Sequence, residues 1–181
     1  MTRDELQKTL SEWDKRGRYV FSRHDMRRLF PNESEKSLEK GLARMVERGL
    51  LQRAARGVYL NPYAGSQDGY AIEHIAKALR PGEYNYVSLE SALSEYGVIS
   101  QIPIDRLTVM TTGRKGTYRT RHGTIEFTHT KRGLDEILKS MVPVPGRPLR
   151  IATLAAARRD LRRVGRNCHL VEQEGEGADG R

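Results

Sequence analysis

Residues 33–63 read ESEKSLEKGLARMVERGLLQRAARGVYLNPY, and their pattern decides the fold of the first third of the chain. Leu38, Leu42, Met45 and Val46 fall at i, i+4, i+7 and i+8, so a helix over this stretch puts all of them on one face. The same period lines up Lys36, Lys40 and Arg44 on another face. Gly49 supplies the left-handed residue that stops a helix. Leu50–Arg53 and Val58–Asn61 then read as paired strands around a turn at Ala54–Gly57. A helix followed by a small basic hairpin is the pattern of the reading end of a winged helix-turn-helix, whose physical meaning is DNA binding. Taken alone, such a basic row more often just solvates a helix face; the residues upstream favour the DNA reading.

Upstream, Leu6, Leu10 and Trp13 lie at i, i+4 and i+7 and predict an amphipathic helix over Arg3 to Lys15, broken by Gly17. Tyr19-Val20-Phe21 suits a short strand. Ser22, with Asp25 three residues later, is an N-cap signature. The helix it opens carries Met26, Leu29 and Phe30 inward, with Arg23, Arg27 and Arg28 outward. Pro31-Asn32 is a turn, and Asn32 or Ser34 caps the helix quoted first. This order predicts an N-terminal winged helix-turn-helix domain over residues 1–62. In that geometry the third helix enters the major groove, and Lys36, Ser37, Lys40 and Arg44 are the candidates to meet base edges. Arg53 and Arg56 from the wing, and Arg27 and Arg28 from the second helix, would meet phosphates. Glu33, Glu35, Glu39 and Glu47 weaken the positive field of the helix, so reading by a few side chains fits better than a purely electrostatic grip.

The 181 residues have room for one large domain or two small ones, and the formal net charge of +9 favours polyanionic partners. A single cysteine, Cys168, excludes an internal disulfide and a thiolate-rich zinc site. No apolar run reaches the length of a membrane span, and the first residues lack the apolar core of a signal peptide. The expectation is a soluble, cytoplasmic protein with no membrane partner. Asn61 to Asp68 reads as a linker, and residues 171–181, acidic and glycine-rich, read as a disordered tail.

Between them, residues 69–167 predict a small α/β domain with a mostly antiparallel sheet, giving an α+β fold class for the whole chain. Helices are expected at 70–79, 89–96, 134–141 and 153–164, and strands at 84–87, 106–112, 117–121 and 124–129. Ile125, Phe127 and His129 alternate as in a half-buried strand.

Three segments together carry a resemblance. The wing, Gly49 through Pro62, resembles the N-terminal winged helix of AbiEi-family antitoxins, which are transcriptional regulators of type IV toxin–antitoxin systems. Tyr86-Val87-Ser88-Leu89-Glu90-Ser91-Ala92-Leu93 with its trailing Gly97 is similar to a segment of the same family. So is Arg150-Ile151-Ala152-Thr153-Leu154-Ala155-Ala156-Ala157 ahead of a charged helix. The resemblance spans roughly residues 5–167, although many members of the family have longer C-terminal domains. It implies a repressor that binds inverted repeats in the promoter of its own operon and counteracts a nucleotidyltransferase toxin encoded beside it. In that family the C-terminal domain is needed for neutralisation, often without a stable antitoxin–toxin complex. Operator sequence, oligomeric state and toxin target are not written in the residues.

The chain shows no enzyme signature. Gly65-Ser66 is not followed by the paired aspartates of a nucleotidyltransferase. Gly113-Arg114-Lys115-Gly116-Thr117 lacks the spacing of a phosphate loop. Asp105 with Glu126 lacks the lysine of a metal-dependent nuclease, Thr128 standing where it would be; an atypical nuclease is the weakest alternative. The five histidines have no ligand spacing, and neither a cofactor nor a metal is expected. A second basic surface remains, from Arg114, Lys115, Arg119 and Arg121 on the sheet turns and Arg159, Arg162, Arg163 and Arg166 on the last helix. Solvation, phosphate contacts, an acidic protein partner and RNA are all open for it. An adaptor that uses the winged helix for nucleic-acid or protein contacts is the alternative from a different functional class.

Overall fold

A computed structural model describes residues 1–99 and 105–165. The chain divides into two compact units, Met1–Pro81 with Thr120–His122, and Gly82–Arg119 with the chain from Gly123 onward.

The first unit begins with α1 (Arg3–Asp14), whose first turn is closed by a reciprocal cap. The Glu5 amide donates to Thr2 Oγ1 at 3.2 Å, and the Thr2 amide donates to the Glu5 carboxylate at 2.7 Å. β1 (Val20–Ser22) leads into α2 (Arg23–Leu29), where Ser22 and Asp25 form a second box of the same kind. α3 (Glu35–Glu47) is capped by Ser34, and β2 (Gln52–Ala55) and β3 (Val58–Leu60) follow. The three strands form an antiparallel sheet in the order β1-β3-β2. Leu6, Leu10, Phe21, Met26, Leu38, Leu42, Met45 and Leu51 make one buried cluster beneath the helices. Those on α1, α2 and α3 are the apolar residues that the helical period turns inward.

Two details differ from the sequence reading. Leu50 and Leu51 are not strand: both amides donate to the Met45 carbonyl, at 2.9 and 3.2 Å, closing the end of α3 after Gly49, whose φ is +70°. The strand therefore starts two residues later, because an orphaned helix carbonyl claims those amides first. The second difference is the boundary. α4 (Ala71–Leu79) packs on β1 and belongs to the first unit, so the division falls at Pro81/Gly82 instead of between 62 and 69.

The connection from Asn61 to Tyr70 is tied down at both ends. Asp14 accepts from the amides of Gly65 at 2.9 Å and Ser66 at 3.0 Å. Asp68 accepts from the Tyr19 hydroxyl and the Tyr70 amide, both at 2.9 Å, and meets His74 Nε2 at 3.1 Å. Burial alone would raise the Asp68 carboxyl, but these donors hold it below the ordinary carboxylate value.

The second unit runs β4 (Asn85–Val87), α5 (Leu89–Glu95), β5 (Arg106–Thr111), β6 (Gly116–Thr120), β7 (Gly123–His129), α6 (Leu134–Lys139), β8 (Met141–Val142), β9 (Arg150–Ala152) and α7 (Leu154–Val164). Its sheet order is β6-β7-β5-β4-β9-β8. β4 meets β5, and β8 meets β9, antiparallel; β5 with β7 and β4 with β9 are parallel. The longest ladder, six residue pairs between β5 and β7, is parallel, so the expected mostly antiparallel sheet is a mixed one here. The sequence reading missed β8 and β9, which are two and three residues long and too short to show a period. It also expected His129 to share the inward side of Ile125 and Phe127, but His129 is exposed at the strand end.

The chain passes from β4 to α5 without a loop. Ser88 is extended and Leu89, fully buried, has φ of +57°. Among the described residues it is the one non-glycine residue with positive φ. No helix among the described residues is long and apolar enough to cross a membrane. The expected tail, residues 171–181, lies outside the described residues.

Candidate nucleic-acid interface

α3 projects its polar side because its apolar side is used up. Leu38, Gly41, Leu42 and Met45 face the core, leaving Lys36, Ser37, Lys40, Ala43, Arg44 and Glu47 exposed. The Ser37 amide donates to Ser34 Oγ at 3.2 Å, which fixes the first turn. The site residues taken from the sequence do not behave alike. Lys36 and Lys40 have no hydrogen-bond or ion-pair partner among the described residues. Ser37 donates its hydroxyl to the Glu33 carboxylate, and Arg44 Nη2 donates to the Met1 carbonyl at 3.3 Å. Two of the four candidates on α3 are thus engaged within the chain, and the two lysines are open.

Arg23 was read only as an outward cation of α2. It reaches across to α3 and pairs with Glu35 at 3.2 Å and Glu39 at 3.6 Å. Glu33 is taken by the Met1 amino group. Three of the four glutamates that weaken the field of α3 are therefore answered by cations beside it, and Glu47 at its far end is not. The Arg23, Glu35 and Glu39 side chains are substantially exposed, so their pairing acts on local potential more than on stability, whereas Glu33 and the Met1 amino group are largely buried. No helical period reveals the Arg23 bridge, which joins residues on two different helices.

The hairpin brings Arg53 and Arg56 to the surface, both exposed and without a partner among the described residues. Arg53 stands opposite Tyr59, a bulge separates it from Ala55, and the turn is Arg56-Gly57, with Gly57 at φ +75°. The Gly57 carbonyl accepts from the Arg23 amide at 2.7 Å, anchoring the hairpin tip to the start of α2. Arg27 and Arg28 are exposed on α2. The first unit therefore offers Lys36 and Lys40 on a helix face, two arginines on a hairpin and two on a second helix. This set can meet phosphates and base edges, and holds no nucleophile or general base poised for reaction.

A groove of about 360 Å³ beside α1 is lined by Glu5, Lys8, Glu12 and Glu33 around Phe30. Its carboxylates outnumber its lysine, so it does not suit a phosphate. Among the described residues no cluster of His, Cys, Asp or Glu could hold a metal ion.

In the second unit the basic residues sort differently. Arg163 Nη2 donates to the His129 carbonyl at 3.2 Å, and His129 Nδ1 donates to the Gly113 carbonyl at 2.8 Å. These bonds join α7 to the end of β7 and to the turn that carries Arg114 and Lys115. Arg159 donates to Ser140 Oγ at 2.9 Å and lies 3.8 Å from Glu136. Arg162 is exposed, as is Arg119 on β6; Arg121, also exposed, falls in the 120–122 stretch that belongs to the first unit. Arg166 lies outside the described residues.

Asp160 was overlooked among these arginines. It is fully buried and pairs with Arg132, whose side chain is itself mostly buried. The Ser88 hydroxyl donates to it at 2.9 Å. Burial, with the Asp160 charge close by, pushes the Tyr86 hydroxyl up to about 12. The cluster joins β4, the start of α5, the 130–133 segment and α7, and its partners are all internal.

No protein-family model matches the chain, and comparison with curated proteins gives no match. Among solved structures, the chain is similar to the RV2827C protein from Mycobacterium tuberculosis, with a TM-score of 0.56 at 12% identity. The match covers 87% of this chain and 60% of that one, so the chain spans less than two thirds of its neighbour's length. At this identity the likeness concerns the fold alone.

Proposed function

We propose that the first unit is a winged helix-turn-helix and that the chain is a sequence-specific DNA-binding antitoxin that represses its own operon. The observation that carries this reading is α3, on which Lys36 and Lys40 are exposed and unpaired while Arg23 draws off Glu35 and Glu39. α3 lies in the major groove with the lysines toward base edges. Arg53 and Arg56 reach phosphates from the hairpin, and Arg27 and Arg28 from α2. Ser37 and Arg44 join the reading set once DNA displaces their contacts to Glu33 and Met1. The resemblance to AbiEi-family antitoxins supports the rest: an operator of inverted repeats, a nucleotidyltransferase toxin as functional counterpart, and a cytoplasmic setting. In this reading the second unit carries neutralisation.

The test is binding of the chain to duplex DNA from its own upstream region against a scrambled duplex, at near-physiological salt. The expected result is preference for the upstream DNA by on the order of a thousandfold or more, as for specific over non-specific binding generally. Equal affinity for both overturns the reading and leaves an adaptor with a basic surface.

A further inference from the structure

α7 exposes Ala155, Arg158, Arg159, Arg162 and Arg163, and its single acid, Asp160, is turned wholly inward. Arg158 with Arg162, and Arg159 with Arg163, are like charges four residues apart, an arrangement that destabilises a helix. Arg159 and Arg163 find relief in Glu136, Ser140 and the His129 carbonyl. Arg158 and Arg162 have no partner among the described residues. The exposed Lys131 lies just past His129 in sequence, and the hydrogen bond from His129 to Gly113 carries the basic surface on to the turn at Lys115.

A matching polyanion is present in the chain itself. Residues 172–179 read EQEGEGAD, with carboxylates at Glu172, Glu174, Glu176 and Asp179 and no cation before Arg181. In extended backbone, alternate residues share a side at a spacing of about 7 Å. Arg158 and Arg162 are one helical turn apart, about 6 Å. The seven residues from Gly165 to Glu172 can span up to ~25 Å, more than the ~16 Å length of α7.

We propose that segment 172–179 docks along the arginine face of α7 as an internal polyanion, which any outside polyanion must displace. The proposal is independent of the reading of α3, and its test contains no nucleic acid. A nitroxide is placed at position 177 of the full chain, as Gly177→Cys in a Cys168→Ser background, and paramagnetic broadening of backbone amides is recorded. At low salt the amides of residues 155–163 broaden. At ~0.5 M salt, where the screening length is only a few ångströms, the broadening fades. It is also lost when Glu172, Glu174 and Glu176 become Gln and Asp179 becomes Asn, and when Arg158 and Arg162 become Ser with the acidic segment intact. The neutralised chain is retained longer on immobilised heparin than the native one. Broadening that survives either set of substitutions, is absent at low salt, or centres on Lys36 and Lys40 overturns the proposal, as does unchanged heparin retention.

Discussion

α3 and α7 look alike on a helical wheel, since each has an apolar stripe and a row of cations. The structure distributes their acids in opposite ways. The glutamates beside the lysines of α3 stay at the surface, and a neighbouring helix answers two of them through Arg23. The one acid of α7 goes inside, where Arg132, from another segment, meets it. One helix is left with a face trimmed of negative charge, and the other is fastened to the 130–133 segment by an ion pair. The sign of a residue does not reveal which of these it does; the position of its counter-ion does.

The largest effect expected from this contrast is on stability. Asp160→Ala takes the buried partner from Arg132, leaving it only the half-exposed Glu136 at 2.8 Å, and should cost about 3 kcal/mol, the low end for breaking a buried pair. Arg158→Ala, two residues away on the exposed side, should change stability by no more than about 0.5 kcal/mol. Urea unfolding of the two variants measures both, and similar losses would erase the distinction between the two helices. Replacing Arg132 and Asp160 together by Met and Leu should recover most of the deficit, because no orphaned charge remains.

The next effect is on recognition. Lys40→Ala should narrow the gap between upstream and scrambled DNA by roughly 1–3 kcal/mol, the range for one good base contact. Arg56→Ala should weaken both equally and reduce the log–log salt slope by about one unit. Affinities across a salt series separate the two. If Arg56→Ala removes the preference and Lys40→Ala does not, the hairpin does the reading and α3 is a support.

A smaller effect concerns the connection between β3 and α4. Its polar turn residues suggest a hinge open to proteases, whereas Asp14 and Asp68 pin it. Limited proteolysis should spare residues 63–68 in the native chain and cut there in Asp14→Ala. Cleavage of both at the same rate returns the segment to a loose linker.

The gentlest test is pH. Asp14 is held below the ordinary value of 3.8 by bonds from Ser66 and Gly65. Asp25, despite burial that pushes it up, is held below 3.8 by Ser22 and Arg18. Asp68 is lowered in the same way. A lowered folded value means that the unfolded chain binds protons first. The stabilisation is therefore complete above the ordinary value and fades as pH falls through it toward the folded ones. The acid limb of the first unit should steepen below about pH 4, and Asp25→Asn should flatten it. A slope unchanged by that substitution would remove Asp25 from the account.

Wherever a local rule suffices, the sequence can be read directly. The inward residues of α1, α2 and α3, the cap at Ser22 and the stop at Gly49 all depend on neighbours within a turn of helix, and the same rule narrows the cap of α3 to Asn32 or Ser34. What escaped depends on residues far apart. Arg23 meets Glu39 across two helices, and Asp160 meets Ser88 across 72 positions. β9 exists because it pairs with β4, more than sixty residues earlier, and β8 because it pairs with β9; α4 joins the first unit through contacts that its own amphipathic pattern does not name. The candidate site was legible as a set of residue types. Which members are free and which are occupied, as with Lys40 against Arg44, was not.

The turn from β4 into α5 also limits which residues can stand at position 89. A left-handed conformation costs a branched side chain on the order of 1–2 kcal/mol. Glycine would lift that strain but would empty a fully enclosed site, a loss of about 2–5 kcal/mol for Leu→Ala and its like. The two demands cannot both be met by any of the twenty side chains, and leucine satisfies the larger. A saturation scan of this position should therefore find leucine best and glycine poor. β-Branched valine and isoleucine should fall below methionine, an order that neither hydrophobicity nor backbone preference produces alone.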